Sequence, residues 1–223
     1  MAISQEELAQ VRRLTIKATV CSIAVIQGDQ PSVTYENCGE DGFSFNFQED
    51  RLKVKINKSQ WKKNHPDRVI FNGFFLTIRG TIGTSRKDMY KLTITLPKLD
   101  SLKISADAAT VKVHGFDLNK LKVEANAATV SIKGCQTRKA RMLVDAGAVK
   151  ARGLNLREDS SFEVNAGSLK LKDCIRPDMG LDVRSTLSHV SLPVNGYSGR
   201  GNFYREGSPM VRLEASVGSV NCS

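Results

Sequence analysis

Lys112, Lys133, Lys150, Arg152, Lys170 and Lys172 are the residues whose type and spacing point to chemistry. They occupy alternate positions of four short runs, "TVKVHG", "TVSIKG", "AVKARG" and "SLKLKD", with His114 and Ser131 completing the set. Residues i and i+2 of a strand share a face, so all eight point away from the valines and leucines between them. In register, Lys133, Arg152 and Lys172 fall in one line and Lys150 neighbours Lys170. Like charges opposed on adjacent strands repel. A bound anionic polymer would relieve that repulsion, with teichoic-acid-type polymers, nucleic acid backbones and lipid head groups all of the right charge. The competing account is a solvated flank whose lysines splay apart and discourage sheet-to-sheet aggregation. A second basic group surrounds the only tryptophan, in "KSQWKKNHPDR" (58–68): Trp61, Lys62, Lys63 and Arg68, beside Lys58 and His65. Cations next to an aromatic can clamp a stacked nucleotide. A lone Trp also serves as an apolar plug, and no specific nucleic acid recognition is expected.

Other chemistries find little support. The three histidines, His65, His114 and His189, do not pair at metal-ligand spacing. There is no P-loop, no GxGxxG and no nucleophile elbow. The five cysteines are odd in number, scattered and without a CxxC, so neither a zinc site nor a disulfide framework is expected. Cys135 and Cys174 read as core fillers. No catalytic residue, cofactor or metal is expected.

The elements that must position the basic residues come from a repeat. Val111, Val130, Val149 and Leu169 stand in one column at intervals of 19, 19 and 20 residues. Four residues before them stand Asp107, Asn126, Asp145 and Asn165; four after come Gly115, Gly134, Gly153 and Asp173. Weaker copies place Val190 and, last, Val220 in the same column. Apolar residues alternate inside each copy, which is the period of a half-buried strand. A tandem β unit of this size buries its apolar face only by stacking on its neighbours. The expected fold is therefore all-β: a single-stranded, right-handed parallel β-helix (β-solenoid) with rungs of about 19–20 residues, matching letters lying over one another. Each "DAAT" or "NAGS" is read as a sharp turn whose small residues let successive corners pass closely. Alternating Asp with Asn keeps carboxylates two rungs apart, roughly 9.6 Å at the strand spacing, too far to share a calcium ion.

Upstream, "SQEE" makes a capping box between Ser4 and Glu7, so residues 1–12 are expected to form a short helical cap and 13–223 one β-helix domain. Large residues such as Phe43, Phe45 and Phe47 sit in irregular early strands, and "NGYSGRGNFYREGSP" (195–209) is a glycine- and aromatic-rich excursion. The net charge is +10, with 33 Lys and Arg against 23 Asp and Glu, which favours an anionic partner. No secretory leader or membrane span is visible, so the chain as written is expected in the cytoplasm, or at the envelope if it is a piece of a longer protein. A bare last rung, "ASVGSVNCS", is expected to leave an open edge and to promote end-to-end homo-oligomers.

"LTITLPKLDSLKISADAATVKVHG" resembles the entry into the repeats of bacterial putative adhesins, including the head domain of putative auto-transporter adhesins. "SLPVNGYSGRGNFY" and "VRLEASVGSVNC" are similar to the tail of that group, and the resemblance spans roughly residues 13 to 223. The sequence departs from the family where its first two corners carry Ala-Ala instead of Gly, and at "TLSHV". The resemblance implies a β-helix with no active site to carry over. It points to a non-catalytic, envelope-associated adhesin or interaction scaffold for an unidentified protein or anionic polymer. A polyanion-binding or regulatory protein working through the basic stripe is the first alternative. A polysaccharide-active enzyme is the second, disfavoured because such enzymes need clustered carboxylates.

Overall fold

The computed structural model describes residues 3–38, 40–57, 70–72, 75–77, 89–192 and 197–223. A short helix α1 (Gln5–Gln10) opens the chain. Ser4 Oγ accepts from the Glu7 amide at 3.1 Å, and the Ser4 amide donates to Glu7 Oε2 at 2.8 Å, closing the expected capping box. Leu8 ties the helix into the common core.

Apart from one 3-10 turn (Glu40–Gly42), every other regular element among the described residues is β. In chain order the strands are β1 (Arg13–Thr19), β2 (Cys21–Gln27), β3 (Ser32–Glu36), β4 (Phe43–Gln48), β5 (Arg51–Ile56), β6 (Ile70–Asn72), β7 (Phe75–Thr77), β8 (Tyr90–Leu96), β9 (Ser101–Asp107) and β10 (Thr110–His114). They continue as β11 (Asp117–Asn126), β12 (Thr129–Lys133), β13 (Gln136–Arg152), β14 (Asn155–Leu156), β15 (Ser160–Lys172), β16 (Gly180–Leu192), β17 (Tyr197–Gly199), β18 (Phe203–Arg205) and β19 (Met210–Cys222). Strands β6 and β7 form a separate antiparallel pair; the rest belong to one curled, mixed sheet.

Alternation drives that sheet. Every second residue of β8, β9 and β5 is buried and its neighbours are not. The parallel ladders run in the register the repeat predicts: Ile23, Val111, Val130, Val149 and Leu169 are successive partners, all at most 1% exposed. A second ladder joins Val54, Ile16, Ile104, Val123, Met142 and Phe162. Burying such residues contributes roughly 1.5–3 kcal/mol for each large side chain. Cys135, Leu154 and Cys174 fill the core as expected, and all five cysteines are free.

The carboxamide column also forms. Asn126 Nδ2 donates to Asp107 Oδ1 at 2.9 Å and Asn165 Nδ2 to Asp145 Oδ1 at 2.7 Å, and Asn126 separates the Asp107 and Asp145 carboxylates, which would otherwise repel. The corners themselves are of two kinds, not the single kind expected. At Ala108 and Ala127 the backbone is left-handed, with φ of 49° at both, and the strand stops. At the "DAGA", "NAGS" and "SVGS" corners the strand runs straight through, in β13, β15 and β19.

Two expectations need correction. The sheet is mixed rather than wholly parallel, because β3 on β8, β4 on β5, and β17 and β18 on β16 pair antiparallel. These additions sit at the ends of the ladders and pair with strand edges that would otherwise lie open. The last rung is not bare either. Strand β19 lies between β15 and β16, with Val220 paired to Leu169 on one side and to Val190 on the other. Its apolar residues and both rows of its backbone groups are thereby used, which an outermost position would not allow. Strand β1 is interleaved in the same way, between β5 and β9. The vertical order is thus not the chain order, and the proposed homo-oligomer contact through an exposed C-terminal rung has no open strand to use.

Candidate functional site

The stacked second strands place the sequence-predicted residues as their spacing implied. Lys150 is the register partner of Lys170, and Lys133, Arg152 and Lys172 are successive partners. Lys112 stands apart from Lys150 with Ser131 between them, and His114 extends the other line beside Lys133. All six basic residues are exposed. One carboxylate touches the stripe: Asp173 lies 3.9 Å from Arg152. The other five cations have no ion pair among the described residues. The tryptophan loop, with Trp61, Lys62, Lys63 and Arg68, lies outside the described residues.

A second and denser basic face was missed. It is the outer side of the other ladder, where β4, β5, β1, β9, β11 and β13 lie side by side. One row across these strands reads Gln48, Arg51, Arg13, Ser101, Lys120 and Lys139. The next reads Asn46, Lys53, Thr15, Lys103, Lys122 and Arg141. A cavity of ≈ 500 Å³ opens over the part from β4 to β11. Arg13, Arg51, Lys53, Lys103, Lys120 and Lys122 line it, with no carboxylate among the described lining residues.

Acidic side chains brace its margins. Arg13 Nε donates to both oxygens of Asp50, at 2.9 and 3.0 Å, and its Nη2 makes a further bond to the same carboxylate. That bidentate pair raises the Arg13 pKa and holds the Asp50 carboxyl below its usual range. Glu124 lies 2.5 Å from Lys122 and 4.0 Å from Lys103. The hydrogen bond from Lys122 pulls its pKa down first, partial burial opposes, and Lys103 adds to the fall. These carboxylates fix Arg13, Lys103 and Lys122 in place, while Lys53 and Lys120 keep no ion-pair partner among the described residues. Further along the same ladder the charge becomes mixed, with Asp182 opposite Arg212, and Glu214 between Arg184 and Glu163.

The signal for this face was present as alternate basic residues in "RLKVKI", "SLKIS" and "NKLKVE". What was not visible is that β5 stacks on β1 and β1 on β9, since neither β1 nor β5 belongs to the recognisable repeat. Among the described residues no group of three His, Cys, Asp or Glu side chains could hold a metal ion, and no helix is long and apolar enough to cross a membrane.

In fold the chain is similar to the crystal structure of a putative cell adhesion protein from Clostridium sporogenes ATCC 15579. The TM-score is 0.50 and the sequence identity 12%, over 99% of this chain and 96% of that one. A putative adhesin from Bacteroides fragilis NCTC 9343 aligns at a TM-score of 0.42 and 14% identity, over 97% and 94% of the two chains. No family model matches the sequence, and no curated protein does. The first of these likenesses, at its low identity, speaks to a shared fold.

Proposed function

We propose that this chain is a non-catalytic interaction scaffold of the adhesin type, a right-handed parallel β-helix with antiparallel end strands, whose basic faces hold an extended anionic partner at the cell envelope. The observation that carries this reading is the pair of register-locked cation ladders. Adjacent strands hold neighbouring cations roughly 4.8 Å apart, where two charges in water repel by about 1 kcal/mol. Solvated side chains tolerate that cost, so the repulsion alone demands no ligand. What it supplies is a fixed linear array of positive charge on a stiff support, which concentrates a polyanion and speeds its capture.

Two further observations support a binding role over catalysis. The cavity on the denser face carries cations and neutral polar groups, whereas glycoside hydrolysis needs two carboxylates at a set separation. The whole-chain likeness in fold to a protein named for cell adhesion agrees with the resemblance in the sequence.

The test is retention of the purified chain on a sulfated-polysaccharide resin across a salt gradient. Retention at low salt that falls steeply with rising salt is expected, and Lys150→Gln, Arg152→Gln and Lys172→Gln together should elute earlier. A chain that flows through at low ionic strength would overturn the reading. The β-helix register has its own test: Lys150→Cys with Lys170→Cys should form a disulfide on mild oxidation, since parallel register partners lie within bridging distance, and Lys150→Cys with Lys172→Cys should not.

A further inference from the structure

We infer that the cavity between β4 and β11 is a binding groove for a linear acidic polysaccharide, one carrying carboxylate or sulfate groups among free hydroxyls. This rests on the reading above that the scaffold takes an anionic partner, and it assigns that partner a place and a chemical class.

Shape comes first. The groove crosses five neighbouring strands, a span of about 19 Å at the usual strand separation. Its ≈ 500 Å³ lies within the range of true ligand clefts, about 300–1,000 Å³.

Composition then narrows the ligand. Six cations face the groove, and between them stand Thr15, Asn46, Gln48 and Ser101, four neutral side chains that can both donate and accept. Pairing puts Asn46 opposite Lys53, Gln48 opposite Arg51, and Ser101 between Arg13 and Lys120. Each row thus mixes cations with neutral polar groups, Gln48 and Ser101 flanking the Arg51–Arg13 pair and Thr15 standing between Lys53 and Lys103. A sugar chain with acidic groups offers the same two functions, an anion for the cations and hydroxyls for the amides and alcohols. Arg51 lies beside Arg13 and, unlike Arg13, has no ion-pair partner among the described residues, so its planar fork is open to carboxylate or sulfate oxygens.

The other anionic macromolecules fit less well. Single-stranded nucleic acid is held by stacking bases on aromatic rings, and no aromatic residue is among the described residues that line the groove. A lipid surface calls for exposed apolar side chains beside the cations, but the apolar lining residues Leu14, Leu52 and Leu102 are at most 1% exposed. The pairs Arg13–Asp50 and Lys122–Glu124 hold the walls in position before any ligand arrives, which lowers the ordering cost of binding.

The experiment measures binding of short fluorescent oligosaccharides to the full chain, prepared from hyaluronan (carboxylated) and heparin (sulfated). Inorganic polyphosphate and an oligothymidylate serve as competing probes. Saturable binding of at least one oligosaccharide is expected. Arg51→Gln, Lys53→Gln and Lys120→Gln together should weaken it about tenfold or more, as loss of several charge-assisted contacts does. Thr15→Val with Asn46→Leu, which keeps every charge, should also weaken it, while Lys53→Arg should bind as the parent does. Melting temperatures report whether each variant is folded. If the groove triple binds as well as the parent while Lys150→Gln, Arg152→Gln and Lys172→Gln abolishes binding, the groove assignment falls and the scaffold reading stands. If polyphosphate or oligothymidylate binds more tightly than both sugars, or the neutral substitutions change nothing, the ligand class is overturned. No binding of any polyanion, with no retention on the resin, removes both.

Discussion

The column of small residues at the second kind of corner allows a quantitative test of how closely the strands pack. Gly147, Gly167 and Gly218 are register neighbours. A methyl group added at Gly167 would lie 2.9 Å from the Gly147 nitrogen and 3.2 Å from its carbonyl carbon, and closer still to its carbonyl oxygen. All three atoms are backbone, held in ladders on both sides, so no flexible side chain can yield. Forcing the strands apart carries an overpacking cost of about 1–3 kcal/mol, and weakening one inter-strand hydrogen bond adds about 1 kcal/mol. The stiffer unfolded chain of an alanine variant returns about 0.4–1 kcal/mol. Gly167→Ala should therefore lose about 2 kcal/mol net, or about 4–8 °C in Tm for a chain of this size. The control is Gly134, whose added methyl would meet nothing within 4 Å but whose φ is +56°. Only the left-handed backbone penalty applies there, about 1–2 kcal/mol before the same offset, so Gly134→Ala should lose about 1 kcal/mol. Urea midpoints and thermal melts of the two variants decide the matter. If Gly134→Ala is as damaging as Gly167→Ala, close passage of the corners is not what the glycine column provides.

Four other outcomes follow from the same geometry. Glu124 has a depressed folded-state pKa, so its contribution is present above the ordinary carboxylate range and is lost as pH falls through the lowered value; Glu124→Gln should flatten the acid limb of the stability-pH curve measured by urea midpoints. Ser188 replaces glycine in the corner column and is fully buried with an Oγ that has no hydrogen-bond partner, so Ser188→Ala should be neutral or stabilising by about 1 kcal/mol in the same assay. Burial pushes the thiols of Cys21 and Cys222 up to about 12 and that of Cys174 up to about 11, and Cys135 is raised for the same reason, so an aromatic disulfide reagent should titrate the half-buried Cys38 in the native chain and all five thiols only after denaturation. Deleting residues 210–223 should abolish cooperative unfolding seen by calorimetry, because it empties the position between β15 and β16; a truncated chain that melts like the parent would contradict the interleaved order.

That interleaving marks the limit of what could be read from the sequence. Neighbours separated by one repeat were legible because a β ladder converts a fixed chain interval into a fixed vertical contact: Val111 on Val130, Val130 on Val149, and with them Lys150 beside Lys170. The cation stripe inherited its legibility from those valines. Contacts made by strands inserted from a distance obey no interval. Strand β1 reaches β9 across the whole early region, and β19 enters between two strands that precede it in the chain. Nothing in the local pattern of "RLTIKAT" or "MVRLEASVGSVNC" distinguishes an outermost strand from an inner one, since both alternate in the same way. The denser basic face lies where these insertions gather, on β5, β1, β9 and β11, and was hidden for the same reason. The edges explain why insertion is favoured. A parallel ladder built strictly in chain order would end on two open strands, one of them the last segment of the chain, free to fray or to pair with another copy. Drawing β1 and β19 inside gives each two hydrogen-bonded neighbours and leaves the outer positions to short antiparallel strands, β3, β4, β17 and β18, whose lengths limit what another chain could add to them.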